Sequence, residues 1–150
     1  MYLSNDEGGL VMSNAMEIFF KDFEHNSSLS EIGALISQFA ETFLVAGPQG
    51  AQVVPASAFA LALPRRKKQF DEMGCQSTDL ISLRETTLGN HYVMAETEWQ
   101  MTFAQGEESR EEITVASTFI LFTGDEQPKI VFYLPQHDVM ALLKNRGVGA

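Results

Sequence analysis

The chain has 150 residues, 45% of them hydrophobic and 10% aromatic, with 11 Phe and a formal net charge of −10. Length and composition point to one globular domain, and a domain of this size buries roughly 68–70% of its unfolded surface without staples. The acidic balance argues against nucleic acid and anionic membrane as partners, and a single cysteine, Cys75, rules out an internal disulfide framework and suits a reducing cytoplasm. No apolar run reaches the ~18 residues that span a bilayer. The N-terminus lacks a basic stretch followed by an apolar one, so no signal peptide is expected.

Residues 1–13 show no period and contain Gly8-Gly9; they read as a loose leader ahead of a single domain over 14–150. Met16, Phe19, Phe20 and Phe23 then fall at i, i+3, i+4 and i+7, which predicts an amphipathic helix broken at Asn26-Ser27. Ser28-Leu29-Ser30-Glu31 has the form of a capping box, opening a second short helix with Ile32, Leu35, Ile36 and Phe39 on one side. Thr42–Ala46 reads as a strand, Gly47-Pro48-Gln49-Gly50 as its turn, and Ala51–Val54 as its hairpin partner. Pro55 opens a short helix holding Phe59, and Pro64 opens another through Met73, stopped by Gly74.

Beyond Gly74 the pattern is all strand. Leu80–Leu88, a two-residue turn at Gly89-Asn90, and His91–Phe103 predict a hairpin in which Leu80 faces Trp99, Ser82 faces Thr97, Arg84 faces Ala95 and Thr86 faces Val93. The second strand alternates a mainly apolar row (Val93, Ala95, Thr97, Trp99, Met101, Phe103) with an acidic one carrying Glu96 and Glu98. Ile113–Thr123 and Lys129–Leu134 follow as strands, and Asp138 caps a last helix through Lys144. Helices first and a long antiparallel meander after them make an α+β layer.

This order resembles the NTF2-like (cystatin-like) superfamily, whose fold is a cone in which a curved antiparallel sheet wraps N-terminal helices, and within it the SnoaL-like proteins. The resemblance rests on FFKDFEHNSSLSEIGALISQFAETFLVAG for the opening helices and first strand, PRRKKQFDEMG for the third-helix region, and STFIL with KIVFYLPQHDVMALLKNRG for the closing strands and helix. It covers roughly residues 14–147 and implies a pocket between the helices and the concave sheet face, mostly apolar with a few polar groups. By register, Thr97, Trp99 and Met101 would line that pocket, joined by Arg84, Ser82 and Tyr133, with Phe23, Phe43, Phe59 and Phe70 closing it. The other reading is that these aromatics fill the core and leave no cavity.

Arg84 on an apolar face would need a carboxylate, such as Glu41 or Asp71, or an anionic ligand; a β-bulge nearby would instead turn it to solvent. Tyr133, His137 and Asp138 offer a hydrogen-bond donor and proton shuttles for an enzyme, although Asp138 is equally a helix cap. Limonene-epoxide-hydrolase-like members of the superfamily carry Arg and Asp where this chain has Trp99 and Met101. Ketosteroid-isomerase-like members carry a Tyr on the first helix, where this chain has Phe19, Phe20 and Phe23. Arg65–Lys68 could hold an anionic partner or be a solvated charge run. His25, His91 and His137 lack metal-ligand spacing, so no metal and no cofactor are expected. Tyr92, Met94, Ile81 and Leu83 beside Glu96 and Glu98 suggest a homodimer through the outer sheet face. The resulting expectation is a protein binding a small, apolar or carbonyl-bearing ligand. The alternatives are an isomerase, cyclase or hydrolase working by proton transfer, and a dimeric interaction module with a filled pocket.

Overall fold

The computed structural model describes residues 14–28 and 31–146, so the expected leader at 1–13 lies outside the described residues. The element order is α1 (Asn14–Ser28), α2 (Ile32–Ile36), β1 (Phe39–Gly47), β2 (Gly50–Pro55), α3 (Ala56–Glu72), β3 (Cys75–Leu88), β4 (Tyr92–Gln105), β5 (Ser109–Phe122), β6 (Lys129–Pro135) and α4 (Val139–Asn145). The strands form one six-stranded sheet in the order β2-β1-β6-β5-β4-β3, antiparallel except where β1 runs parallel to β6. The N-terminal helices cover the concave face of this sheet. No helix among the described residues is long and apolar enough to cross a membrane.

The α1 stripe is the keystone of the core. Met16, Phe19 and Phe20 are buried and Phe23 is half-buried, as the 3.6-residue period requires. Phe20 is fully buried and packs on Phe19, Phe23 and Phe119 of β5 at ring-centroid distances of 5.0, 5.9 and 5.2 Å. Inward side chains of β4 and β5 answer it: Ala95, Trp99, Met101 and Phe103 from one, Ile113, Val115, Phe119 and Leu121 from the other. Buried Gln38 ties the layers, its amide donating to the Phe19 carbonyl at 3.0 Å and its Oε1 accepting from Asn26 at 3.2 Å.

Four local expectations are corrected. Helix α1 continues through Asn26-Ser27 to Ser28, whose hydroxyl donates to the His25 carbonyl at 2.9 Å, so Ser28 closes one helix rather than capping the next; Glu31 takes the N-cap position of α2 without a side-chain cap bond. Phe39 begins β1 instead of ending α2, because Phe39 pairs with Ile130 and the Ile130 amide donates to Gln38. The two helices expected around Pro64 are one, α3. A proline inside a helix costs about 3 kcal/mol in an exposed interior; here Phe59, Leu63 and Phe70 on one face pack against the core and outweigh it. Gly74 does stop this helix. Its φ is +90°, and a Cβ there would stand 2.9 Å from the Ala104 carbonyl oxygen, so only glycine fits without a shift.

The fourth correction is the register of the long hairpin. Leu80 does face Trp99, but Ile81 is an extra residue, and from Ser82 onward the pairing is Ser82 with Glu98, Arg84 with Glu96, and Thr86 with Met94. The connecting turn therefore has three residues, Gly89-Asn90-His91, between Leu88 and Tyr92, with Gly89 at φ +70°. A one-residue slip exchanges the faces of every side chain beyond it. Leu83 turns inward against the core, while Ser82 and Arg84 turn outward, and the Arg84 guanidinium donates through Nε (3.0 Å) and Nη2 to Glu96 Oε1. The Arg84 side chain is 63% exposed. Exposed ion pairs contribute about 0–1 kcal/mol. Arg84→Met should accordingly shift the urea midpoint by no more than the equivalent of about 0.5 kcal/mol; a loss of several kcal/mol would mean that the guanidinium is structurally required after all.

Candidate functional site

Between the end of α1, α2, α3 and the concave sheet lies a cavity of about 260 Å³. Its floor is the buried part of the lining: Leu35, Phe39, Trp99, Met101, Val115 and Phe119. Phe23, Phe59, Leu63 and Phe70 form its sides. The rings interlock: Phe23 stands 5.8 Å from Trp99 and 5.5 Å from Phe119, and Phe39 5.1 Å from Phe59. Such tilted and edge contacts fix each ring against its neighbours, so the wall is stiff as well as apolar. The exposed lining residues, Ser28, Arg66, Asp71, Gln76 and His137, mark the mouth.

Of the residues expected to form a pocket, Phe23, Phe59, Phe70, Trp99, Met101 and Tyr133 do line the cavity. Four do not. Phe43 sits behind the wall, packed on Phe39 at 4.6 Å and Phe59 at 5.2 Å. Thr97 is buried beneath it: the Trp99 indole N–H donates to Thr97 Oγ1 at 2.8 Å, and that hydroxyl donates to the Ser117 carbonyl at 2.9 Å. Thr97 thus orients the indole instead of meeting a ligand. Arg84 and Ser82 are on the opposite face of the sheet, for the register reason given above.

The polar groups of the cavity are few and specific. Ser117 is 8% exposed, and among the described residues its hydroxyl makes no hydrogen bond, although its backbone carbonyl accepts from Thr97. Tyr133 stacks on Phe119 at 5.1 Å and 13°, and its hydroxyl also has no hydrogen-bond partner among the described residues. His137 stands at the mouth, whereas Asp138 points away, its Oδ1 accepting the Ala141 amide at 3.1 Å to cap α4. The trio Tyr133, His137 and Asp138 is therefore not assembled around one point. Glu24 lines the cavity, and its carboxylate accepts the Leu80 amide at 2.6 Å, which holds α1 to β3. The Cys75 thiol also lies in the lining, and burial pushes its pKa above the ordinary value, leaving it protonated at neutral pH and a poor nucleophile.

No protein-family model matches the chain, and no curated protein matches it by sequence. Solved structures do match in shape. Aln2 from a Streptomyces species superposes with a TM-score of 0.70 at 12% identity, covering 90% of this chain and 99% of its own. An NTF2-like protein with a cystatin-like fold from Novosphingobium aromaticivorans gives 0.66 at 11% identity over 86% of both chains. An NTF-2 like protein of unknown function from Shewanella oneidensis gives 0.64 at 11% identity, over 81% of this chain and 95% of its own. The fold is NTF2-like.

Within this NTF2-like cone, sequence reasoning passed over Ser117, Phe119 and Leu63, placed Phe39 on the second helix, and named Arg66 and Lys67 only within a charge run that could hold an anionic partner or be solvated. A signal for the first was present. Ile113, Val115, Ser117, Phe119 and Leu121 alternate along β5, and one hydroxyl interrupts an otherwise apolar inward row. The helix break assumed at Pro64 separated Phe59 and Leu63 from the second half of α3. On one continuous helix, Phe59, Leu63, Arg66, Lys67 and Phe70 share a face.

Proposed function

We propose that this protein binds a small, largely apolar, carbonyl-bearing molecule in the NTF2-like cone. The observation that carries this reading is the Ser117 hydroxyl: buried, without a partner among the described residues, and facing an aromatic-walled cavity. A buried hydroxyl left without a partner costs about 1–3 kcal/mol, and a carbonyl oxygen on a bound molecule would recover it. Tyr133 supplies a second donor on the same lining. At about 260 Å³ the space lies just below the usual range for drug-sized ligands, which favours a compact molecule. With Asp138 committed to a helix cap, the support for proton-transfer catalysis is weaker than the support for binding.

Benzylacetone, a ketone on a phenyl-bearing chain, is a suitable probe, and Trp99 in the lining provides the fluorescence signal. It should change the Trp99 emission saturably. Ser117→Ala should weaken its binding about fivefold, the value of one neutral hydrogen bond, while leaving the empty protein at least as stable as the wild type, since the change removes a buried hydroxyl that has no partner among the described residues. Absence of any saturable change at millimolar probe would sink the reading.

We further propose that residues 14–150 act as one domain that pairs with a second copy through the outer sheet face, in the cytoplasm. Met94, Ile120, Phe132 and Leu44 are register neighbours across four strands and form one apolar row on that face. Sedimentation at micromolar concentration should give about twice 16.6 kDa; a clean monomer would refute the pairing.

A further inference from the structure

The cavity-facing stripe of α3 is not uniformly apolar: between Leu63 and Phe70 it places two cations, Arg66 and Lys67. They are not equivalent. Lys67 Nζ is 2.8 Å from Asp71 Oδ1, one turn along the same helix, so its charge is already answered. The Arg66 guanidinium lies over the Phe70 ring at 5.3 Å from its centroid and has no carboxylate partner among the described residues. Stacking on an aromatic face fixes the plane of a guanidinium while leaving its N–H edge available, and that edge matches a carboxylate with two parallel hydrogen bonds.

Resting on the binding reading above, we infer that the ligand is a monocarboxylate: an aromatic or aliphatic body among the cavity rings and one carboxylate head on Arg66 at the mouth. The charge count favours a single negative charge. Among the described residues one unanswered cation faces the cavity, and Glu24 and Asp71 on the same lining would repel a dianionic phosphate. The surroundings supply selectivity, since the protein carries a net charge of −10 while four of its ten Lys and Arg residues sit together at Arg65–Lys68.

The test uses three probes of matched body, phenylbutyrate, phenylbutanol and phenylbutylamine, read by Trp99 fluorescence and calorimetry at low salt. The wild-type protein should prefer the carboxylate over the alcohol roughly tenfold, as a charge-assisted paired contact allows, and should bind the amine weakest. Arg66→Gln should bring the carboxylate down to the affinity of the alcohol. Arg65→Gln and Lys68→Gln remove the same charge from α3 positions outside the lining and should keep the preference. Equal binding of carboxylate and alcohol by the wild type, or a preference that survives Arg66→Gln, would overturn the inference and leave the binding reading standing. A preference lost equally in all three variants would also overturn it, since general electrostatics would then explain it. If none of the three probes binds while benzylacetone does, this inference falls and the binding reading stands; if benzylacetone fails as well, both fall.

Discussion

Phe20→Ala should cost about 3–5 kcal/mol, measured as the shift in urea midpoint at unchanged slope. The side chain is fully buried and meets Phe19, Phe23 and Phe119, so its removal opens a void that three neighbouring rings cannot all relax into. Phe23 and Phe119 also wall the cavity, so the same change should weaken probe binding beyond what the population of unfolded protein explains. Phe20→Leu, which fills most of the space, should recover the larger part of the loss. A cost below about 1 kcal/mol for the alanine variant would mean that the α1 stripe does not anchor the cone.

Thr97→Val should destabilise the fold by about 1–3 kcal/mol although it preserves shape and volume. The hydroxyl is the middle of a chain running from the Trp99 indole to the Ser117 carbonyl, and valine leaves a donor and an acceptor buried without partners. Thr97→Ser keeps the hydroxyl and should retain most of the stability. The Trp99 emission should change with valine and not with serine, because only valine frees the indole N–H. Equal stability of the valine variant and the wild type would show that water or a backbone shift replaces the missing hydroxyl.

How far the sequence could be read depended on whether each feature is written in side-chain chemistry or only in backbone geometry. The spacing of Met16, Phe19, Phe20 and Phe23 admits one helix face, and the cap at Asp138 and the turn at Pro48-Gln49 follow from the donors, acceptors and φ values those residues bring. The alternation through Trp99 placed the inward row of β4 correctly. What failed was counting along β3. The extra residues Gln76 and Ile81 have no special side chain, and each adds one to the register sum of the hairpin. Nothing in the identity of a glutamine or an isoleucine announces a bulge, so the simple register put Arg84, Ser82 and Leu83 on the wrong faces, and for Arg84 the alternative of a nearby bulge turning it to solvent is the one observed. The helix break assumed at Pro64 failed for the opposite reason: the local signal was strong, and the packing of Phe59, Leu63 and Phe70 overrode it. The candidate site was half legible. Its aromatic wall follows from periodicity and the cationic run from composition, whereas Ser117, and Arg66 as the member of that run on the lining without a carboxylate partner, stand out only once the elements around them are known to converge.

The two bulges have a consequence for the solubility of the chain. β3 ends the sheet on one side, and a long unpaired strand of that kind is a template on which a stray strand from another molecule can assemble. Gln76 and Ile81 interrupt its hydrogen-bonding rhythm twice within six residues, and Asp79, Arg84 and Glu85 add charge along it. An incoming strand meets stretches of matched backbone too short to hold it. The irregularity that sends Arg84 to solvent thus protects the molecule from fibrous self-association. The opposite border, β2, is kept short instead, its six residues ending at Pro55, where no amide is left to offer.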